Sequence, residues 1–217
     1  MSLVVSIDRD GADAARTALE QTIRQGGLAV FPADTLYGLA CDPADAAAVG
    51  RLQALKGRAE GKPSAVLFFS PLALREVLSM SGPRTREAIA ALLPGPVTLV
   101  VDNPRELHPL ACREDRRRLG IRLIRGPLEG ARCAVFQTSA NRSGDAAPVH
   151  FGNIDPQILA GVDVAIDGGR LGGEPSSVVD LTHIEDGEWT LLRDGAVSAR
   201  EVGNALRPWA REGGTRA

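Results

Sequence analysis

LAVFPADTLYGLACDPADAAAVGRLQALKGR, residues 28–58, contains one complete succession of strand, loop and helix. The apolar run at 28–31 is typical of a buried strand, and a polar loop follows at 33–35. Residues 44–55 have the spacing of an amphipathic helix, which delivers Lys56 at its C-terminal end, where the helix dipole favours a cation. This order of elements predicts an α/β fold.

Strands and helices alternate through most of the remaining chain, and the late strands have few helices between them. We therefore expect a sheet of seven or more strands with some antiparallel pairing. Further strands are predicted at 3–7, 65–69, 97–101, 119–124, 134–138, 162–166, 177–181 and 190–192, and helices at 10–24, 71–79, 83–92 and 198–206. We predict one domain over residues 1–210 and a frayed tail at 211–217.

The composition excludes several classes of function. A net charge of -2 and an aromatic content of 4% argue against a protein that binds nucleic acid by charge or by base stacking. The three cysteines, Cys41, Cys112 and Cys133, are far apart and odd in number, so we expect reduced thiols and neither a zinc site nor a disulfide framework. We also expect no signal peptide and no membrane span, and hence a cytoplasmic protein.

Two short polar motifs suggest a site for a nucleotide. Lys56 and Arg58 flank Gly57, so two cations lie beside backbone that a ligand can approach closely. Ser139 and Asn141, which follow a predicted strand, add a hydroxyl and an amide. Together these groups would suit a triphosphate held without a Walker loop, whereas the first motif alone would be interpreted as a solvated basic loop.

Three other positions have two interpretations each. Asp34 and Thr35, at the end of a strand, either contact a ligand or cap a turn. Arg122, between Ile121 and Leu123 in a strand pattern, is either buried in an ion pair or lines a site for a carboxylate or phosphate. Ser176, at the entrance of another strand, either binds a small ligand or caps a turn. The histidines lack metal-ligand spacing, and we find no hydrolase triad in the sequence.

Eight ordered blocks of sequence resemble the YrdC family, the threonylcarbamoyl-adenylate synthases. They are PADTLYGL (32–39), LKGR (55–58) with Lys62-Pro63, LPGPVTLV (93–100), GIR (120–122), TSANRSG (138–144), IDGG (166–169), PSSVVDL (175–181) and LRDG (192–195). The resemblance extends over about residues 15–202. It implies a short, single-domain form: a twisted open sheet of mixed parallel and antiparallel strands, flanked by helices, with a concave basic cavity.

The resemblance also implies an activity. Such enzymes are nucleotidyltransferases that combine L-threonine, bicarbonate and ATP into threonylcarbamoyl-AMP and pyrophosphate, for the t6A modification of tRNAs that read ANN codons. ATP would bring its own Mg²⁺, so no metal site on the protein is expected. The partners implied are the t6A-transferase machinery and, through weak contact, tRNA or another RNA.

Site residues follow from the same resemblance. Lys56 and Arg58 would be catalytic and would bind ATP. The other ATP-binding residues implied are Lys62, Ser139, Asn141 and Arg193, and the threonine-binding residues are Thr35, Arg122 and Ser176.

The sequence departs from the family pattern at three places. Ala33 replaces a usual threonine, Ser64 replaces an apolar residue, and 123–127 replaces an apolar-Pro-x-His-Pro segment. Two alternatives therefore stay open: a paralogue that forms another carbamoyl-adenylate, and a module that binds double-stranded RNA.

Overall fold

A twisted sheet forms the frame of the molecule in the computed structural model, which describes residues 2–57, 64–211 and 215–216. Within these residues the sheet has eleven strands in the order β1-β8-β2-β3-β7-β4-β6-β5-β9-β10-β11. The strands are β1 Leu3–Ser6, β2 Ala29–Ala33, β3 Leu36–Cys41, β4 Ala65–Phe68, β5 Val97–Asp102, β6 Arg118–Leu123, β7 Ala134–Ser139, β8 Val164–Asp167, β9 Ser177–Asp180, β10 Trp189–Arg193 and β11 Thr215–Arg216.

Parallel and antiparallel pairing are mixed, as predicted. Parallel pairs include β1 with β8, β4 with β6 and β5 with β9. Antiparallel pairs include β2 with β3, β3 with β7 and β9 with β10. The α/β fold with a mixed, open sheet is confirmed.

The helices flank the sheet. They are α1 Ile7–Asp10, α2 Ala12–Arg24, α3 Ala46–Lys56, α4 Arg75–Met80, α5 Pro83–Leu92, α6 Pro109–Cys112, α7 Pro156–Ala160 and α8 Ala199–Leu206. Three single turns of 3₁₀ helix lie at Pro71–Leu74, Phe151–Asn153 and Ile184–Asp186. The predicted helix at 71–79 is thus divided between a 3₁₀ turn and α4.

Helix α3 has well-defined ends, and its C-terminal end fixes the position of Lys56. The Asp45 carboxylate accepts hydrogen bonds from the main-chain N–H groups of Ala47 and Ala48, at 2.8 and 3.0 Å. Gly57 ends the helix in the left-handed region with φ of 60°, a conformation that glycine adopts at little cost. Lys56 therefore lies in the last turn, as predicted.

Strand β3 was not predicted, because Gly38 interrupts its apolar run. The glycine pairs with Phe31 across the β2–β3 hairpin. A Cβ at position 38 would lie 2.9 Å from Cε1 of Phe31, so this ring packs where a side chain would otherwise stand. The missing side chain thus allows close packing within the strand.

Two apolar cores cover the two faces of the sheet, and strand alternation determines which residues face which way. Along β6, Leu119, Ile121 and Leu123 belong to the larger core. Gly120 and Arg122, between them in sequence, line a cavity on the opposite face. The smaller core, beneath α2, lies on that same face and includes Phe31.

Candidate active site

A cavity of about 620 Å³ lies against strands β3 to β7, β9 and β10. Its size is within the usual range for sites that bind small molecules. The predicted site residues that the structure describes all line it: Thr35, Lys56, Arg122, Ser139, Asn141, Ser176 and Arg193. Arg58 and Lys62 lie outside the described residues. The roles of all nine side chains stay predictions.

Lys56 lines the cavity and is almost fully buried, with 5% of its surface exposed. Its ammonium group donates to the main-chain oxygens of Ser139 and Asn141, at 2.6 and 2.8 Å. It also contacts the side-chain oxygens of the same two residues, at 3.2 and 3.1 Å. The two sequence motifs that suggested a nucleotide site are therefore in direct contact.

The turn that follows β7 is held from several sides. The Asn141 amide group donates to the main-chain oxygens of Arg142 and Asp145, each at 2.7 Å. The N–H of Ser143 donates to the carbonyl of Lys56 at 2.8 Å. Residues 139–145, which we call the 139–145 turn, are thereby attached to the end of α3.

Arg122 lies at a second position along the cavity wall and forms a buried ion pair. One of its Nη atoms is 2.8 Å from the Asp34 carboxylate and 3.2 Å from the carbonyl oxygen of Ala33. The other Nη donates to Oε1 of Gln137 at 3.3 Å. Among the described residues, the buried Nε of Arg122 has no hydrogen-bond partner. Both interpretations of Arg122 therefore apply, since it is buried in an ion pair and also lines the cavity.

Burial dominates the electrostatics of this pair. It raises the pKa of Asp34, and the nearby Arg122 charge only partly opposes that rise. Burial also lowers the pKa of Arg122, against the favourable charge of Asp34. Asp34 has a φ of 63°, so the hairpin turn holds this carboxylate in an uncommon backbone conformation.

Ser176, Thr98 and Arg193 form a third polar group in the cavity. The Arg193 guanidinium donates to the carbonyl of Ser176 through Nη2 and Nε, at 2.6 and 3.1 Å, and Nη2 is 3.2 Å from the Ser176 hydroxyl. That hydroxyl lies 3.0 Å from the hydroxyl of Thr98. Gly195 allows this arrangement, because a Cβ there would lie 2.3 Å from the carbonyl oxygen of Pro175.

Sequence reasoning missed other lining residues, among them Gln137, Thr98 and Arg118. Gln137 and Thr98 face the cavity because strand alternation turns them away from the larger core, a signal that the predicted strands already contained. Arg118 also lines the cavity and forms an ion pair with Asp180 of the neighbouring sheet region. No motif marked it, because it is one of a run of arginines.

The sites of two sequence departures lie apart from the cavity lining. Ala33 is buried in the smaller core, and its carbonyl oxygen accepts a hydrogen bond from Arg122. Residues 123–127 are absent from the lining within the described chain, and Ile124 packs in the smaller core. Ser64 does line the cavity.

Other reactive groups offer no second centre in the described part of the chain. It contains no group of three or more His, Cys, Asp or Glu side chains placed to hold a metal ion. Burial raises the pKa of Cys41 and of Cys133 to about 12, so both thiols stay protonated.

None of the helices in the described part of the chain combines the length and apolarity needed to span a membrane.

Comparison with known proteins gives a consistent result. A family model for Sua5, YciO and YrdC proteins, described as telomere recombination, matches residues 21–195. The chain is 31% identical over 179 residues to a threonylcarbamoyl-AMP synthase of Thiobacillus denitrificans, covering 79% of this chain and 94% of the relative. It is 33% identical over 207 residues to the enzyme of that name from Mus musculus, covering 88% and 70%. The structure of Pyrococcus abyssi Sua5 complexed with L-threonine superposes with a TM-score of 0.81 at 26% identity, covering 97% of this chain and 62% of that one.

Proposed function

The chain belongs to the Sua5/YciO/YrdC family, and from this membership and its cavity we propose that it is a threonylcarbamoyl-AMP synthase. Its relatives carry that name, and a structural neighbour binds L-threonine. The proposed reaction consumes L-threonine, bicarbonate and ATP and yields threonylcarbamoyl-AMP and pyrophosphate. By class it is a nucleotidyltransferase reaction.

One observation in particular supports this proposal: among the cationic side chains that line this single cavity, Lys56 and Arg122 hold separate positions. Lys56 with the 139–145 turn lies at one position, and Arg122 with Asp34 at the other. A nucleotide and an amino acid each carry an anionic group, so two such positions suit two anionic substrates bound together.

The chemistry needs no nucleophile from the protein. Bicarbonate takes up one proton and loses water to give carbon dioxide. The threonine amine attacks the carbon of carbon dioxide and releases one proton to give a carbamate, so the protons balance. A carbamate oxygen then attacks the α-phosphorus of ATP, and the bond to the pyrophosphate oxygen breaks. Such a transfer depends on orientation and on charges that stabilise the transition state.

The side chains have corresponding proposed tasks. Arg122 holds the threonine carboxylate, and Thr35 and Ser176 line the same pocket. The 139–145 turn, Arg193 and the charge of Lys56 hold the triphosphate, together with Arg58 and Lys62. Mg²⁺ enters on the phosphates of ATP, and the cavity walls keep water from the labile carbamate.

The wider role proposed is supply of the activated intermediate for t6A in tRNA, with transferase proteins as partners and the cytoplasm as location. A different acceptor amine gains no support from residues 123–127, since that segment is absent from the described cavity lining. Threonine therefore stays the proposed substrate.

The direct test is pyrophosphate release from ATP by the purified protein, with threonine and bicarbonate each omitted in turn. We expect release that requires both, and threonylcarbamoyl-AMP by mass spectrometry. Release that requires bicarbonate but prefers another amino acid would replace threonine in the proposal. A folded, ATP-binding protein that releases no pyrophosphate under any of these conditions would contradict the proposed function.

A further inference from the structure

The Gln137 side chain stands in a row of small residues on the wall of the cavity. The strand register places Gln137 of β7 between Ala40 of β3 and Ala65 of β4. Gly120 of β6 lies beyond Ala65, because a Cβ on this glycine would be 3.5 Å from the Cα of Ala65. Gln137, Ala65 and Gly120 all line the cavity. The small neighbours therefore leave room for substrate atoms beside the Gln137 amide.

Gln137 lies between Ser139 and Arg122 along the cavity wall. Along β7, Ser139 is two residues to one side of Gln137 and Val135 is two residues to the other. Leu67 of β4 pairs with both Val135 and Arg122, so Arg122 is level with Val135. Two residues along a strand span about 7 Å. Gln137 is therefore about halfway between the level of Ser139 and that of Arg122.

The hydrogen bond with Arg122 determines which way the Gln137 amide points. A guanidinium group has donors only, so the amide atom 3.3 Å from its Nη1 is the oxygen, Oε1. The amide nitrogen, Nε2, is directed elsewhere, and Gly38 makes room for it, because a Cβ at position 38 would lie 3.2 Å from Nε2. In the described chain Nε2 has no hydrogen-bond acceptor and is not fully buried. Its N–H groups are therefore available to a molecule in the cavity.

The carbamate group is the part of the proposed reaction that no residue has yet been assigned to hold. With the threonine carboxylate at Arg122 and the triphosphate at the 139–145 turn, the carbamate lies between them. One carbamate oxygen attacks the α-phosphorus of ATP. The other oxygen shares the negative charge and needs a hydrogen-bond donor once it has left water. The amide N–H is a donor of this kind, at a position between the two substrates.

We propose that Gln137 forms the subsite for bicarbonate and for the carbamate made from it. Its Nε2 donates to the carbamate oxygen that does not attack phosphorus, and the other oxygen stays free to react. This inference rests on the proposed function. The bond between Oε1 and Arg122 holds the amide in the required orientation. Gln137 is therefore a binding residue for the one-carbon substrate.

The discriminating variant is Gln137→Met, which keeps the length of the side chain and removes its N–H donors. We expect the KM for bicarbonate to rise by about 10- to 100-fold, the range for losing a hydrogen bond to a charged group. The KM values for threonine and for ATP should change by less than about threefold. Pyrophosphate release with one substrate varied at a time measures all three.

Gln21→Met is the matched control, because it makes the same change at an exposed side chain of α2 and should keep all three KM values. A KM for bicarbonate in Gln137→Met within about threefold of wild type would overturn the proposal. A rise in the KM for threonine as large as that for bicarbonate would also overturn it, since Gln137 would then act by positioning Arg122.

A measurement on wild-type protein covers the case in which Gln137→Met does not fold, and it needs no turnover. The side-chain amide signal of Gln137 is assigned in ¹³C,¹⁵N-labelled protein through the signals of its own main chain. Bicarbonate is then added in the presence of threonine and a non-hydrolysable ATP analogue. We expect the Gln137 amide signal to shift with bicarbonate and to keep its position with an equal concentration of chloride. No shift at any bicarbonate concentration at which the protein stays folded would overturn the proposal.

Failure of the proposed function has a different signature. Wild-type protein that binds ATP but releases no pyrophosphate contradicts the synthase activity, and the bicarbonate titration still decides whether Gln137 binds the anion.

Discussion

The Arg122 guanidinium lies 2.8 Å from the Asp34 carboxylate, and the bond joins strand β6 to the turn between β2 and β3, neither of which is its neighbour in the sheet. Arg122 is on β6 and Asp34 is in the turn after β2, 88 residues apart in the chain. The ion pair therefore sets the direction of a cation whose Nε has no hydrogen-bond partner among the described residues.

Replacing Arg122 by Gln tests its proposed contact with the threonine carboxylate. The variant loses a charged hydrogen bond worth about 1.5–3 kcal/mol, so we expect the KM for threonine to rise by about 10- to 100-fold. Steady-state pyrophosphate release at saturating ATP measures this. Arg118→Gln is the matched control, because Arg118 lies on the same strand and lines the same cavity but pairs with Asp180. An unchanged KM for threonine in Arg122→Gln would remove Arg122 from the amino-acid pocket.

A Gly195→Ala substitution should disturb the site through close packing. The added Cβ would lie 2.3 Å from the carbonyl oxygen of Pro175, so the loop that carries Ser176 must shift. We expect a loss of about 1–3 kcal/mol in the free energy of unfolding, as for overpacked interiors, and at least about tenfold slower turnover. Urea denaturation and the pyrophosphate assay measure the two effects. Gly172→Ala, which has nothing within 4 Å of the new Cβ, is the control and should keep both values. Equal behaviour of the two variants would contradict the packing argument.

Substitution by alanine should change the free energy of unfolding in opposite directions at two glycines, one within α3 and one at its C-terminal cap. Gly50 is exposed within the helix, and an added Cβ meets nothing within 4 Å. Gly50→Ala should therefore raise the free energy of unfolding by about 0.5–1 kcal/mol. Gly57 has a φ of 60°, so Gly57→Ala should lower that free energy by about 1–2 kcal/mol. Chemical denaturation of both variants is the measurement, and a shift of the same sign in both would disprove this account.

Glu185 should contribute stability that depends on pH. Burial opposes its ionisation, but hydrogen bonds from the N–H and hydroxyl of Thr85, each 2.8 Å away, outweigh this and lower its pKa below the usual 4.5. Thr85 is in the first turn of α5, where a carboxylate is favoured by the helix dipole. The contribution is present above about pH 4.5 and is lost as the pH falls through the lower pKa of the folded state.

The variant Glu185→Gln measures that contribution. At pH 7 we expect it to be less stable than wild type by about 0.5–1 kcal/mol, and the difference should shrink below about pH 4.5. Glu129→Gln, a change at an exposed carboxylate, should have little effect at either pH. A difference that stays constant from pH 7 to pH 3 would show that the charge of Glu185 is not responsible.

Local patterns predicted most of the frame, because apolar runs and helical spacing are properties of short segments. The bounds of α5, at Pro83–Leu92, coincide with the prediction. Strand β3 was not predicted, because Gly38 weakens its local signal. Position 38 is glycine because the ring of Phe31, seven residues earlier in the chain, packs against it across the hairpin.

The candidate site was predicted as a set of residues but not as an arrangement. The motifs indicated Lys56 and Asn141 as site residues. No local pattern could reveal that the Lys56 ammonium group donates hydrogen bonds to two oxygens of Asn141, 85 residues away. Similarly, Arg122 had two interpretations because its partner, Asp34, is far away in sequence. Hydrogen-bond partners at such separations follow from the order of the strands in the sheet. The sequence predicted the fold class but not that order.

The sheet order also bears on how the chain reaches its native state. Strand β1 lies at the edge of the described sheet and pairs with β8 alone, where Leu3 is opposite Val164. During synthesis β1 leaves the ribosome long before β8, and pairing across so long a loop carries a large entropic cost. Because β8 also pairs with β2, its addition joins β1 to β2 through β8 in one step. Completion of this edge should therefore be a late event in folding, and a nascent chain halted before Val164 should leave residues 3–6 open to proteolysis.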